Sequence, residues 1–374
     1  MLIALFFTYN YSLKTWSDSG ILFKELEIYE MLNKKYGVRF KFITYGYKEE
    51  KDYLEQYDFI EVIPIYEFIS CSKSKIINYL KSFLIPFKIK NLLIDVSLIK
   101  QHQLLGSWVA IGSKLINKKP LIIRTGYDMF LFSKYEKKSF FIKSLYYFLT
   151  YLSLKVANLY TVSSNTDSKK LQKFFKGSNV EIRRNWIKEI RDIKSFEERY
   201  DSKVLSVGRL EKQKNYSHLI ASLSETKFSL DIVGSGSLGE ELKSEAREKG
   251  VELNYLQPME NESLLDVYQN YKYFVLPSLY EGNPKSLIEA MSSGCVVIVS
   301  NIENNKEIVA HEHNGFLMEK DISSLASIIS YVEKNPKIST YITENGLSFI
   351  NKNYLLSNLV EKEYEDYEKL AFNI

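Results

Sequence analysis

Residues 277–294 read Pro-Ser-Leu-Tyr-Glu-Gly-Asn-Pro-Lys-Ser-Leu-Ile-Glu-Ala-Met-Ser-Ser-Gly. The apolar run Tyr273 to Leu276 leads into them and has the composition of a buried strand. Asn283 is a good N-cap, Pro284 suits the first helical position, and Gly294 suits the position just past a helix end. A strand, a loop and a helix of about ten residues therefore follow one another. Such units build open α/β sheets, in which ligands bind outside the carboxyl ends of the strands. A helix start at that place offers free N–H groups and the positive end of the helix dipole to an anion. Glu281 falls in the loop and Glu289 within the helix. Two acids beside an anion site fit a ligand that carries both phosphate and hydroxyl groups, as a nucleotide sugar does.

The same alternation extends outward. The C-terminal half predicts strands near 203–207, 228–233, 252–256, 274–276 and 296–299, with helices near 216–223, 238–249, 262–270 and 284–293. The N-terminal half predicts strands near 2–8, 38–44, 59–64, 92–96, 121–124 and 159–162. Helices are predicted there near 22–35, 72–84, 104–117, 139–156 and 166–175. Residues 188–202 are charged, poor in large aliphatic side chains, and read as a linker. The expected fold is α/β, with two doubly wound parallel-sheet domains over 1–190 and 200–354 and an acidic helix over 355–374.

Composition is that of a folded protein, 45% apolar and 26% charged over 374 residues, long enough for two cores. The net charge of +4 is unevenly spread. Residues 1–190 hold 30 Lys and Arg against 17 Asp and Glu, whereas residues 191–374 hold 20 against 29. Two bodies with different partners are implied. Cys71 and Cys295 do not make a disulfide framework, which fits a reducing cytoplasm. The apolar start lacks a basic leader region, and Lys143 and Lys155 interrupt the longest aromatic segment, so neither a signal peptide nor a spanning helix is expected.

Ser206 to Asn215 ends a strand and enters a helix. Gly208 permits a tight turn, and Arg209 and Lys214 flank it with a planar donor fork and a mobile point charge, a combination suited to a diphosphate. Asp231-Ile-Val-Gly234-Ser-Gly236-Ser-Leu-Gly239 matches the dinucleotide fingerprint, with Glu252 as a ribose-binding acid. An NAD-dependent enzyme is therefore one alternative, although the motif follows the second strand of its domain and not the first.

Arg209 and Lys214 after one strand, Gly234-x-Gly236 after the next, and the spacing of Glu281 and Glu289 together resemble family 4 glycosyltransferases of the GT-B fold. The resemblance covers about 203–318. It implies two Rossmann-like domains facing across a cleft, and retaining, metal-independent transfer from a UDP- or GDP-type sugar with no separate cofactor. It implies that the N-terminal domain binds the acceptor and that the last helix crosses back to that domain. Carried over, Arg209 and Lys214 hold the diphosphate, Glu281 meets the sugar hydroxyls, Glu289 the ribose hydroxyls, and Gly282 and Asn283 offer backbone N–H groups. The glycine-rich first loop of such enzymes is reduced here to Gly20. The loop that often holds a histidine reads Arg124-Thr125-Gly126-Tyr127-Asp128, which leaves Asp128 as the candidate polar contact. Arg183-Arg184-Asn185-Trp186-Ile187 is similar to an interdomain segment of the family but lacks its final Asp.

Other patterns carry less. His311 and His313 flank Glu312 beside Asn314-Gly315 and read as a solvated turn, with no metal site expected. Residues 72–93 and 134–155 combine lysines with aromatics, the pattern of a surface that touches an anionic membrane. No nucleic-acid-binding module is visible. The expectation is an enzyme acting on a glycan or lipid-linked acceptor in surface polysaccharide biosynthesis, in the cytoplasm or at the inner face of the membrane. A non-catalytic glycosyltransferase-like subunit is the second alternative.

Overall fold

The computed structural model describes residues 1–126, 128–136, 138–190, 192–257 and 259–372. Tyr127, Lys137, Arg191 and residues 373–374, which fall in segments singled out above, lie outside them. The chain divides into two compact units, Met1–Arg184 with the segment from Leu359 onward, and Asn185–Asn358.

The first unit is built on seven parallel strands: β1 (Leu2–Phe6), β2 (Arg39–Thr44), β3 (Ile60–Pro64), β4 (Leu98–Gln101), β5 (Leu121–Thr125), β6 (Leu159–Val162) and β7 (Val180–Ile182). Their order is β3-β2-β1-β4-β5-β6-β7. Near-continuous apolar runs such as Ile3–Phe6 and Leu121–Ile123 are buried, as strands covered by helices on both faces require. The strand expected at 92–96 is instead β4, six residues later than 92, and Lys90–Leu93 forms a 3-10 turn. The displacement has a physical cause. Leu98-Ile99-Lys100-Gln101 contains a lysine, yet Lys100 is 2% exposed. Its ammonium donates to Glu363 Oε2 at 2.6 Å and to the Tyr367 hydroxyl at 2.9 Å. Both partners come from the last helix, Leu356–Phe372. Asp366 on the same helix accepts from Arg183 Nε at 2.7 Å, and Tyr364 stacks on Tyr36 with centroids 3.8 Å apart.

The second unit has six parallel strands: β8 (Tyr200–Val207), β9 (Ser229–Val233), β10 (Leu253–Leu256), β11 (Tyr271–Leu276), β12 (Val296–Ser300) and β13 (Phe316–Met318). Their order is β10-β9-β8-β11-β12-β13. One core cluster packs Leu219, Ile220, Leu242 and Ile329 against the sheet; another packs Leu287, Ile288, Met291 and Ile350. The short strands β7 and β13 and the helices Ser323–Lys334 and Pro336–Asn353 are additional to those expected.

Both sheets share a topological property. The first strand of each is flanked by the second on one side and the fourth on the other, so strand order reverses there. The crevice at such a reversal, at the carboxyl ends of β8 and β11 in the second unit, is where open α/β sheets take ligands.

Candidate active site in the second unit

The loops that leave β8 and β11 are joined at that reversal. The β8 loop passes a 3-10 turn, Lys212–Lys214, and enters the helix Tyr216–Leu223. The β11 loop enters the helix Lys285–Ser292. Leu279 N–H donates to the Gln213 carbonyl at 2.9 Å, Gln213 Nε2 to the Tyr280 carbonyl at 2.9 Å, and Asn215 Nδ2 to the Pro277 carbonyl at 3.3 Å. These bonds hold together the loops that carry two of the candidate site residues. Lys214 Nζ lies 2.5 Å from Glu281 Oε1, and Ser278 Oγ donates to the same oxygen at 2.6 Å. The lysine and glutamate side chains are 12% and 7% exposed. Arg209 is exposed, with Nη2 3.4 Å from Gln213 Oε1. The structure thus joins Lys214 to Glu281 and leaves the Arg209 guanidinium facing solvent on the same loop.

Asn283 does not cap the helix. Pro284 takes that position, at φ −69° and ψ 112°, without a side-chain cap bond. The Asn283 side chain is engaged elsewhere: Oδ1 accepts from Asn185 N–H at 3.0 Å and Nδ2 donates to the Tyr354 hydroxyl at 3.4 Å. Asn185 Nδ2 also donates to the Asn283 carbonyl at 2.5 Å, and Asn304 Nδ2 to the Gly282 carbonyl at 2.9 Å. Asn185 and Asn304 are positioning residues that the sequence reading did not assign. With both carbonyls pinned, the backbone N–H groups of Gly282 and Asn283 have no acceptor among the described residues. Gly294 does lie just past the helix, at φ +74°. Glu289 is 5% exposed and accepts from the Tyr268 hydroxyl at 3.3 Å.

Gly234 and Gly236 serve a purpose the dinucleotide fingerprint does not require. A Cβ at Gly234 would sit 2.1 Å from the Gly208 carbonyl oxygen, and one at Gly236 2.5 Å from that of Leu210. The β8 loop rests directly on the β9 loop, tied by Gly208 N–H to Val233 O (3.0 Å) and Leu210 N–H to Ser235 O (2.9 Å). The close approach that glycine permits is made by the chain's own backbone. Glu252 lies just before β10, at its amino end, and is exposed. A ribose-binding acid belongs at the opposite end. The NAD reading loses both of its supports.

Two further candidates, Asp128 and Gly20, lie in the first unit. Asp128 is 1% exposed; its Oδ1 accepts from Leu131 N–H at 3.0 Å, capping the helix Met129–Ser133, and Oδ2 accepts from the Tyr160 hydroxyl at 2.9 Å. Burial pushes its carboxyl above the usual aspartate range, although these bonds oppose the shift. Both carboxylate oxygens are thus engaged by neighbours within the unit. Gly20 terminates the helix Leu13–Asp18 at φ +68°, and a Cβ there would meet nothing within 4 Å, so no close approach calls for glycine. The histidine at this sheet's strand-order reversal is His102, directly after β4, with Nε2 3.5 Å from Glu25 Oε2 and its ring 5.3 Å from that of Trp16. Burial pushes its pKa down despite that carboxylate. Misplacing β4 hid its location. His311 Nδ1 accepts from Leu317 N–H at 3.0 Å, and His313 Nδ1 lies 2.9 Å from the Tyr341 hydroxyl. Among the described residues, no group of three or more His, Cys, Asp or Glu side chains is arranged for a metal.

Two doubly wound parallel sheets in one chain are the architecture of the GT-B fold. Solved structures agree on the fold: sucrose-phosphate synthase from Thermosynechococcus elongatus superposes with a TM-score of 0.78 at 16% identity over 100% of both chains. Residues 187–349, within the second unit, match the family model described as Glycosyl transferases group 1. An uncharacterized glycosyltransferase of Methanocaldococcus jannaschii is 28% identical over 255 residues, 63% of this chain and 65% of that protein. A UDP-Gal:alpha-D-GlcNAc-diphosphoundecaprenol alpha-1,3-galactosyltransferase of Escherichia coli is 30% identical over 176 residues, 45% of each chain. The chain spans less than two thirds of the length of these relatives.

Proposed function

We propose that this protein is a retaining, metal-independent glycosyltransferase that moves a sugar from a nucleoside-diphosphate sugar to a glycan or lipid-linked acceptor. Surface polysaccharide biosynthesis at the inner face of the membrane is the setting that fits. The observation that carries the reading is the Lys214–Glu281 pair at 2.5 Å, held between two loops at the strand-order reversal. The name of the Escherichia coli relative, which specifies a UDP-sugar and a diphosphoundecaprenol acceptor, supports the substrate classes.

In the proposed reaction the bond from the sugar's anomeric carbon to the diphosphate breaks. The acceptor oxygen bonds to that carbon on the same face, and the acceptor proton passes to the departing diphosphate. Arg209 and Lys214 meet the charge that grows on the leaving group, and fixed cations there favour the transition state over the ground state. The N–H groups of Gly282 and Asn283 donate to phosphate oxygens. Glu281 holds Lys214 in place and accepts from sugar hydroxyls; Glu289 accepts from the ribose. UDP- and GDP-sugars are offered in turn, and release of nucleoside diphosphate is measured. Release that disappears in Lys214→Ala and Glu281→Ala supports the reading. Binding of NADH with no binding of any nucleotide sugar overturns it. A non-catalytic subunit is favoured by one observation, the withdrawal of Asp128 into the core, and donor binding without turnover across many acceptors would select it.

A further inference from the structure

The helices Lys75–Ser82, Ile85–Ile89, Ser107–Asn117 and Phe140–Val156 lie in the connections from β3 through β6. Those connections step across the sheet in one direction, so right-handed crossovers put the helices on one face. Contacts fix their sequence across that face. Trp108 Nε1 donates to Ser82 Oγ at 2.8 Å, a Cβ on Gly112 would come 2.8 Å from Pro86 Cγ, and Ser153 Oγ donates to Ser107 Oγ at 3.2 Å.

The outer side of this layer is apolar. Leu80 is 61% exposed, Phe87 63%, Leu115 65%, Phe141 84% and Phe148 60%. The helix Lys75–Ser82 is inside out: Ser82 is buried and Asn78 is hydrogen-bonded to Ser72, while Ile76 and Leu80 face solvent. A helix of a water-facing surface has the opposite arrangement. The charge of the segment is one-sided. Residues 72–157 contain 15 Lys and Arg but 3 Asp and Glu. Of those acids, Asp128 is buried, Asp95 is paired with Lys41 at 2.8 Å, and Glu136 is paired with Lys138 at 3.3 Å. Exposed Lys73, Lys75, Lys88 and Lys90 flank one end of the apolar band, and exposed Lys134 and Lys138 precede the other.

We propose that this layer docks on an anionic lipid bilayer, with Leu80, Phe87, Phe141 and Phe148 entering the interface and the flanking lysines meeting lipid phosphates. A second copy of the chain would bring the same cations against this rim, whereas anionic headgroups complement it. No helix among the described residues is long and apolar enough to cross a membrane, so the contact is peripheral. The inference rests on the first unit alone and is independent of the proposed donor site.

The test is sedimentation of the full chain with phosphatidylcholine vesicles, with or without phosphatidylglycerol. Wild type is expected to partition at least about tenfold more onto the anionic vesicles and to be released by salt, as several lysines at the surface dictate. Phe141→Asp combined with Phe148→Asp should lower partition by about tenfold or more. Both sites are exposed, so its thermal midpoint and nucleoside-diphosphate release should match wild type, which separates a failure here from a failure of the catalytic reading. Equal partition onto both vesicle types, or wild-type binding by the double variant, overturns the proposal. So does a wild-type dimer in light scattering that the double variant dissociates, which would make the face a self-interface.

Discussion

Glu281→Gln removes one charge from the Lys214–Glu281 pair and keeps its shape. Glutamine still presents an acceptor to Ser278 and Lys214, so the stability lost is the charge-assisted part of those bonds, about 1–3 kcal/mol for side chains 12% and 7% exposed. In a unit of this size each kcal/mol moves the melting midpoint by roughly 2–4 °C, which gives a fall of roughly 2–12 °C. The effect on ligand has the opposite sign. In the ligand-free protein a diphosphate must share the Lys214 ammonium with a carboxylate that also repels it. Without that carboxylate, UDP should bind roughly 3- to 30-fold tighter, about 0.7–2 kcal/mol. Lys214→Ala removes the cation itself and should weaken UDP roughly 10- to 150-fold, the worth of a hydrogen bond to a charged group. Calorimetric titration of UDP into wild type and both variants, with melting curves at each UDP concentration, reads both signs. If Glu281→Gln weakens UDP as Lys214→Ala does, the lysine does not exchange partners and the reasoning is refuted.

Gly236→Ala places a Cβ 2.5 Å from the Leu210 carbonyl oxygen, an overpacking that should cost about 1–3 kcal/mol and weaken UDP by displacing the β8 loop; a wild-type melt and titration would count against the close-packed loops. Asp128→Asn should leave transfer unchanged. The folded carboxyl has its pKa raised by burial, so its contribution is favourable at low pH and is lost as pH rises through the folded value. The asparagine variant should therefore be at least as stable as wild type at pH 7, and a large loss of transfer in a stably folded variant would restore a functional role. Lys100→Met should cost about 3–5 kcal/mol by stranding Glu363, whereas Lys100→Met with Glu363→Leu should be close to neutral. Burial pushes the Glu363 carboxyl up, but Lys100, with Arg124 and Tyr367 behind it, overcomes that and holds it below its ordinary value. Its stabilisation is complete above the usual carboxylate range near ~4.3 and is lost as pH falls through the folded value. Denaturant titrations across pH should show that loss in wild type and not in the double variant.

The second unit was largely legible because its elements obey one rule each. Val296–Val299 is apolar throughout and forms a fully buried strand. Loops that begin with charged or glycine residues at strand ends stand where the topology needs them. What failed there was local: Asn283 has the chemistry of an N-cap, but a long-range bond from Asn185 N–H takes its oxygen. Cap propensity counts only partners within a few residues, and Asn185 is 98 residues away. The glycines of 234–239 misled for the converse reason. The motif is present, yet what approaches Gly234 and Gly236 is Gly208 and Leu210 backbone, which no spacing rule distinguishes from a phosphate.

The first unit was harder to read because its chemistry is buried among aromatics and amides. Lys100 broke the apolar run that would have announced β4, and its neutralising partner Glu363 is 263 residues distant. With β4 misplaced, the strand-order reversal between β1 and β4 could not be located, and the residues around it read as ordinary core. Gln101 Nε2 donates to the Phe7 carbonyl at 3.3 Å, Tyr9 N–H to Leu105 O at 3.0 Å, and Phe7 stacks on Trp16 at 4.2 Å. A diphosphate demands cations, and cations stand out in a sequence. A surface that takes a sugar acceptor works through ring stacking and neutral hydrogen bonds, which use the same residue types as a hydrophobic core. On the proposed reading the donor half of the reaction therefore leaves a charge pattern in the sequence, whereas the half-buried Tyr9 and His102, which follow β1 and β4 at one end of one sheet, leave none.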